Sequence, residues 1–355
     1  MADHIEAARC GHGETTNRLQ KLEAAGQAVW LDFIDRRFIA DGGLKKLVEE
    51  DGLTGVTSNP SIFEKAIGHS DAYDDQLNAQ VEAHPGTVEG TYEALAIKDI
   101  QDACDTLRPV YDRLDGRDGF VSMEVSPYLA METAATLAAA KRLWTEVDRP
   151  NLMIKIPGTN PGVPAIRGAL EAGVNINVTL LFSIDAYKAV LEAYVAALES
   201  RVARGEPIDR LASVASFFVS RIDGVIDKKI DELGTDEARA IRGKVAIANA
   251  KMAYQHYLDV IGSPRWRALA ERGARPQRLL WASTGTKDKA YSDVLYVEPL
   301  IGPDTVNTMP PATMDAFRDH GEVSDSLASD IEGAARVLAT AGGLGLDLAG
   351  VIAQL

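Results

Sequence analysis

Short apolar runs alternate with longer stretches of helical periodicity along nearly the whole of the 355-residue chain. Eight runs read as strands: 29–33 (VWLDF), 55–58 (GVTS), 119–125 (GFVSMEV), 151–156 (NLMIKI), 174–179 (VNINVT), 212–219 (ASVASFFV), 278–282 (RLLWA) and 294–297 (VLYV). Between them, stretches such as METAATLAAAKRLW from Met131 and SIDAYKAVLEAYVAALESRV from Ser183 repeat apolar residues at i, i+3 and i+4, as helices that bury one face do. Strand–helix alternation of this kind builds a parallel sheet, and eight units predict an α/β fold closed as a (β/α)8 TIM barrel. A doubly wound open sheet is the alternative. Residues 1–28 read as a helical lead-in, 70–115 as extra helices between the second and third strands, and 323–355 as a closing helical segment. With no linker or low-complexity tract, the chain reads as one domain over 1–355.

Each barrel strand alternates between lumen and helix layer, so residues two apart share a face. On the third strand Val121, Met123 and Val125 point one way and Ser122, Glu124 and Ser126 the other; on the fifth, Asn175, Asn177 and Thr179 oppose Val174, Ile176 and Val178. The first strand sets Asp32 against Leu31 and Phe33, the second ends in Ser58 and Asn59, and the sixth puts Ser216 and Phe218 on one face. On the fourth, Leu152, Ile154 and Ile156 share a face and Lys155 stands opposite with Met153. A lone amine in a strand walled on both sides is costly, so Lys155 must be paired, neutral or at work.

Composition narrows the choice of partner. Hydrophobic residues make up 46% and charged residues 25%, as in soluble globular proteins, and no apolar run approaches the ~18 residues of a membrane helix. The opening MADHIEAARC is acidic and lacks the apolar stretch of a secretory signal, which places the expected site of action in the cytoplasm. A net charge of −15 disfavours nucleic acid and anionic membranes, both of which are held by Lys and Arg. Cys10 and Cys104 lie far apart, and the six histidines His4, His12, His69, His84, His256 and His320 form no paired spacing, so neither a disulfide framework nor a metal site is expected.

Taken singly, the polar residues have plain structural readings. Asn59 before Pro60 suits a helix N-cap, Ser183 another, Gly158 and Gly162 a turn, and Asp32 or Glu124 an ion-pair partner for Lys155. Together in one lumen they are harder to explain as packing, which needs none of them. Crowding favours a neutral lysine amine, which attacks a ketone to form a Schiff base; the iminium then accepts electrons when a carbon–carbon bond breaks, provided a carboxylate takes the hydroxyl proton.

The motifs GVTSNPSIF (55–63), VSMEVSP (121–127), MIKIPGT (153–159), NINVTLLFS (175–183), SFFVSRID (216–223), WASTGTKD (281–288) and VNTMP (306–310) are similar to those of the transaldolase family, over roughly residues 29–314. The resemblance implies that Lys155 forms the Schiff base with the ketose donor. It implies that Asp32 handles the proton in carbon–carbon cleavage and that Glu124 works through a water held by Thr179. Asn59, Asn177 and Ser216 match residues around the dihydroxyacetone moiety, and Arg221 and Ser283 match phosphate ligands. Two departures from the better-known branch stand out: its EVD on strand three is Glu124-Val125-Ser126, and its arginine shortly after the serine gives way to Thr284-Gly285-Thr286-Lys287. Lys287 is accordingly the expected substitute phosphate ligand. The implied substrates are phosphorylated sugars, with no cofactor, in a monomer or homodimer. A free-standing class I aldolase is the nearest rival, and Phe218 bears on it, because aldolases of this superfamily carry tyrosine there. A catalytically silent sugar-phosphate-binding barrel would be expected to lack one of Lys155, Asp32 and Glu124.

Overall fold

Eight parallel strands, β1 (Gln27–Leu31), β2 (Gly55–Thr57), β3 (Phe120–Glu124), β4 (Leu152–Pro157), β5 (Ile176–Leu181), β6 (Ser213–Phe218), β7 (Arg278–Ala282) and β8 (Thr305–Met309), pair in sequence order and close β8 onto β1. The computed structural model describes residues 17–83 and 86–355; the lead-in up to residue 16, with His4, Cys10 and His12, and also His84, lie outside the described residues. The architecture is the expected (β/α)8 barrel, and the strands are buried on both faces because helices cover the outside. Among the described residues no single helix is long and apolar enough to cross a membrane.

Within 70–115, the long helix Val88–Arg113 packs on β3 and takes its place in the outer ring, and the shorter Asp74–Ala83 lies against it. The helix Arg18–Ala24 precedes β1, and Ile331–Gly343 and Leu348–Gln354 close the chain.

The eighth strand is not where the apolar pattern put it. In 294–297 the backbone turns back on itself, Leu295 N–H donating to Ser292 O (3.1 Å) and Val297 N–H to Val294 O (2.9 Å), and a 3-10 turn over Glu298–Leu300 follows. Val294, Tyr296 and Val297 are apolar because they are buried beside the barrel, not because they pair. The true β8 reads TVNTM, and two of its outward polar atoms are bonded locally: Thr305 Oγ1 donates to Gly302 O (2.6 Å), and Asn307 Oδ1 accepts from Thr284 Oγ1 (2.9 Å), while Asn307 Nδ2 is buried with no partner among the described residues.

The N-terminal half of the lumen is filled and the C-terminal half is polar. Trp30, Phe120, Met153, Val214, Leu280 and Val306 point inward and are buried. Gly55 pairs with Trp30, and a Cβ there would lie 2.4 Å from the indole, so only glycine lets the ring cross the lumen. Gly55→Ala would cost about 1–3 kcal/mol by overpacking. This plug seals the barrel below, and the polar residues above it open only toward the strand C-termini, the end that bears the sites of barrel enzymes.

Candidate active site

Register puts the polar lumen residues side by side. Glu124 on β3 is the partner of Lys155 on β4, and Lys155 in turn of Asn177 on β5. Lys155 is 6% exposed, and its Nζ lies 3.2 Å from Glu124 Oε2 and donates to Ser58 O at 3.2 Å. The amine is therefore paired, with one of the two carboxylates that the strand pattern left open. Burial pushes the phenol of Tyr92 up to about 12, with the neighbouring Glu124 charge adding to the effect. Tyr92 thus stays protonated beside the pair.

Asp32 stands just past β1, held by a relay from two other strands. Thr57 Oγ1 donates to Asp32 Oδ1 (2.7 Å), and a hydroxyl has one proton, so at its 2.7 Å contact with Thr308 Oγ1 it must accept. Thr308 thus orients Thr57, and Thr57 orients the carboxylate. Pattern reading missed both, Thr308 because its strand was assigned elsewhere.

These groups line one cavity of about 410 Å³. Asp32, Asn59, Glu124, Lys155, Thr179, Ser216, Phe218, Arg221, Ser283 and Lys287 all reach it. Asn177 does not. Its Nδ2 donates to Ser122 Oγ (3.0 Å) and its Oδ1 accepts from Ser216 Oγ (2.6 Å), so it lies fully buried beneath the floor as a brace for Ser216. Asn59 serves in two ways: its Oδ1 caps the helix Pro60–Gly68 through Ile62 N (3.0 Å), while the residue lines the cavity. Thr179 Oγ1 is buried with no partner among the described residues, a hydroxyl left for something in the cavity to satisfy. Ser183 caps its helix through Ala186 N (3.0 Å), as expected.

Leu180 is a further lining residue that alternation hides. The β5–β6 register shifts between Val178 and Leu181, and Leu180 adopts φ +59°, so two successive residues, Thr179 and Leu180, face the cavity. A bulge of this sort re-aims side chains beside a site. Leucine in the left-handed region is uncommon and strained.

The rim is basic. Lys65, Arg221 and Lys287 come from the segments after β2, β6 and β7, and none forms an ion pair among the described residues. Arg221 instead lies over the Phe218 ring at 4.9 Å. Ser283, at φ +56°, shares a 3.0 Å contact between its Oγ and that of Ser220, which ties the β7 loop to the helix bearing Arg221. Behind them Arg242 pairs with Asp288 (2.8 Å) and Asp231 (3.0 Å), Tyr291 Oη donates to Asp227 (2.7 Å), and Tyr296 Oη donates to the buried Asp223 (3.0 Å). The residue beside Lys287 is thus anchored. A buried amine, two carboxylates and a basic rim equip the cavity for amine chemistry on a small, anionic carbonyl compound.

The family model described as Transaldolase/Fructose-6-phosphate aldolase matches residues 29–355. The chain is 52% identical over 318 residues (89% of this chain, 85% of the relative) to Transaldolase 2 of Streptomyces coelicolor. It is 50% identical over 326 residues (89% and 85%) to Transaldolase of Trichodesmium erythraeum, and 49% identical over 339 residues (96% and 94%) to Transaldolase of Thiobacillus denitrificans.

Proposed function

The chain belongs to the transaldolase/fructose-6-phosphate aldolase family, and from that premise we propose that it moves a dihydroxyacetone unit from sedoheptulose 7-phosphate to glyceraldehyde 3-phosphate through a Schiff base on Lys155. Relatives named for the transfer make it an enzyme of the transferase class. The products are erythrose 4-phosphate and fructose 6-phosphate, an exchange of the cytoplasmic pentose phosphate pathway.

One observation carries the reading: Lys155 Nζ is buried 3.2 Å from Glu124 in the cavity that also holds Asp32, on a different strand. In the proposed course Glu124 takes the ammonium proton, and the freed amine attacks the ketose C2. The carbinolamine hydroxyl, protonated by way of Glu124 and a water resting on Thr179, leaves as water. Asp32 then removes the proton from the C4 hydroxyl as the C3–C4 bond breaks; the aldose departs and the electron pair is stored as the enamine. Addition of the enamine to the acceptor aldehyde reverses these steps, with Asp32 returning its proton. Arg221, Lys287 and Ser283 hold the phosphate, a role supported by the lack of an ion pair for Arg221 and Lys287 among the described residues.

Borohydride reduction in the presence of fructose 6-phosphate, followed by peptide mapping, tests this. Label is expected on Lys155, and Lys155→Met should abolish labelling and transfer in a folded protein. Label on another lysine overturns the assignment.

A further inference from the structure

A second cavity, of about 180 Å³, opens at the opposite, N-terminal end of the barrel, below the plug formed by Phe120 and Met153. Arg117, Arg275 and Arg278 line it, with Asp304 as the carboxylate in its wall. So dense a cluster of guanidinium groups is unexpected in a chain of net charge −15.

The carboxylates nearby do not balance it. Arg278 pairs with Asp118 (3.0 Å), which also accepts from Trp30 Nε1 (2.9 Å) and Thr54 Oγ1 (3.1 Å) and so belongs to the plug. Asp115 serves both Arg275 (3.3 Å) and Arg210. Arg117 has no carboxylate partner among the described residues; its Nε donates to Leu114 O at 3.2 Å. Arg275 Nη1 is buried and has no acceptor among the described residues. Desolvation and the charges of Arg210 and Arg117 push Arg275 below its ordinary range, against the pull of Asp115. A buried donor without a partner and like charges held together are both relieved by an anion.

We propose that this cavity binds a small phosphate-bearing anion, at a site separate from the catalytic one. Guanidinium forks converging from the turn before β3 and from the start of β7 suit a tetrahedral dianion. Phe120 and Met153 leave an apolar floor for a short carbon stem.

Equilibrium dialysis of the full chain against inorganic phosphate tests the site. Wild type should show two classes of site, and Arg275→Gln should weaken one of them at least tenfold. Arg117→Gln, at an exposed position where folding is not at stake, should weaken the same class several-fold and leave transfer kinetics unchanged. Arg221→Ala should spare it. Binding curves identical in wild type and Arg117→Gln, or phosphate binding that disappears entirely in Arg221→Ala, would overturn the proposal. Because the readout is binding, its failure is distinct from any failure of the proposed reaction.

Discussion

Replacing Thr57 with valine keeps the shape of the side chain and removes one hydroxyl. That hydroxyl is the link between Thr308 and Asp32, with both contacts at 2.7 Å. A hydrogen bond to an ionised carboxylate contributes about 1.5–3 kcal/mol. If the orientation of Asp32 is needed when the C3–C4 bond breaks, losing this bond slows that step by roughly ten- to one-hundredfold, at ~1.4 kcal/mol per decade. Stability should fall less. Thr308 loses its acceptor, an orphaning that costs about 1–3 kcal/mol when fully dry, but it lines the cavity, where water can take over. The assay separates the steps: steady-state transfer reports the whole cycle, and borohydride trapping reports imine formation on Lys155. Thr57→Val should lose transfer in the stated range while trapping stays close to wild type, and Thr57→Ser should recover most of the rate. Wild-type transfer by Thr57→Val, or an equal loss of trapping and transfer, would refute the role given to Thr57.

Three other outcomes follow from the same geometry. Phe218, which packs on Phe182 at 5.2 Å and under Arg221, would bring no proton donor to the proposed enamine; Phe218→Tyr should raise release of free dihydroxyacetone from fructose 6-phosphate several-fold and lower transfer, whereas ready release by wild type would favour the aldolase reading. Arg242→Gln unties Asp288 and should raise KM for phosphorylated acceptors about tenfold with little change in kcat, as expected for lost phosphate positioning; an unchanged KM would remove Lys287 from the phosphate site. Burial raises Asp223 to about 7, with Asp227 adding to the shift and the Ala246 N–H, Tyr296 and Arg242 opposing it. The folded state then keeps a proton that the unfolded chain releases near pH 4, so stability should fall as pH rises from about 4 to 7 and level off above, by at most roughly 4 kcal/mol at ~1.36 kcal/mol per pKa unit. Asp223→Asn should flatten the melting temperature between pH 5 and 8, and an unaltered slope would assign the dependence elsewhere.

The barrel was legible in the sequence because its signal is local. Alternation with period two needs only the strand itself, so the inward positions of Glu124, Lys155, Thr179 and Ser216 could be read without any neighbour. The same rule failed where the strand departs from regularity or where a polar residue is satisfied by a partner. The bulge at Leu180 breaks the period, and TVNTM concealed β8 because the polar side chains of Asn307 and Thr305 face outward, with Asn307 Oδ1 and Thr305 Oγ1 bonded outside the ladder. In 294–297 burial without pairing imitated a strand.

Side-chain chemistry and face were thus set by the sequence alone: an amine, two carboxylates and hydroxyls on the inner sides of separate strands. Which of them meet was decided by closure of the barrel. Asn177 and Ser216 read alike along the chain, yet register spends both ends of the Asn177 amide on Ser122 and Ser216 and leaves Ser216 at the cavity wall. Glu124 and Asp32 were equal candidates for the lysine until pairing of β3 with β4 put Glu124 at 3.2 Å and gave Asp32 to Thr57. Arg117 and Arg275, distant in sequence, come together only at the barrel's lower rim. Hydrogen bonds and ion pairs act over a few ångströms, and only tertiary structure brings residues that lie far apart in the chain within that range.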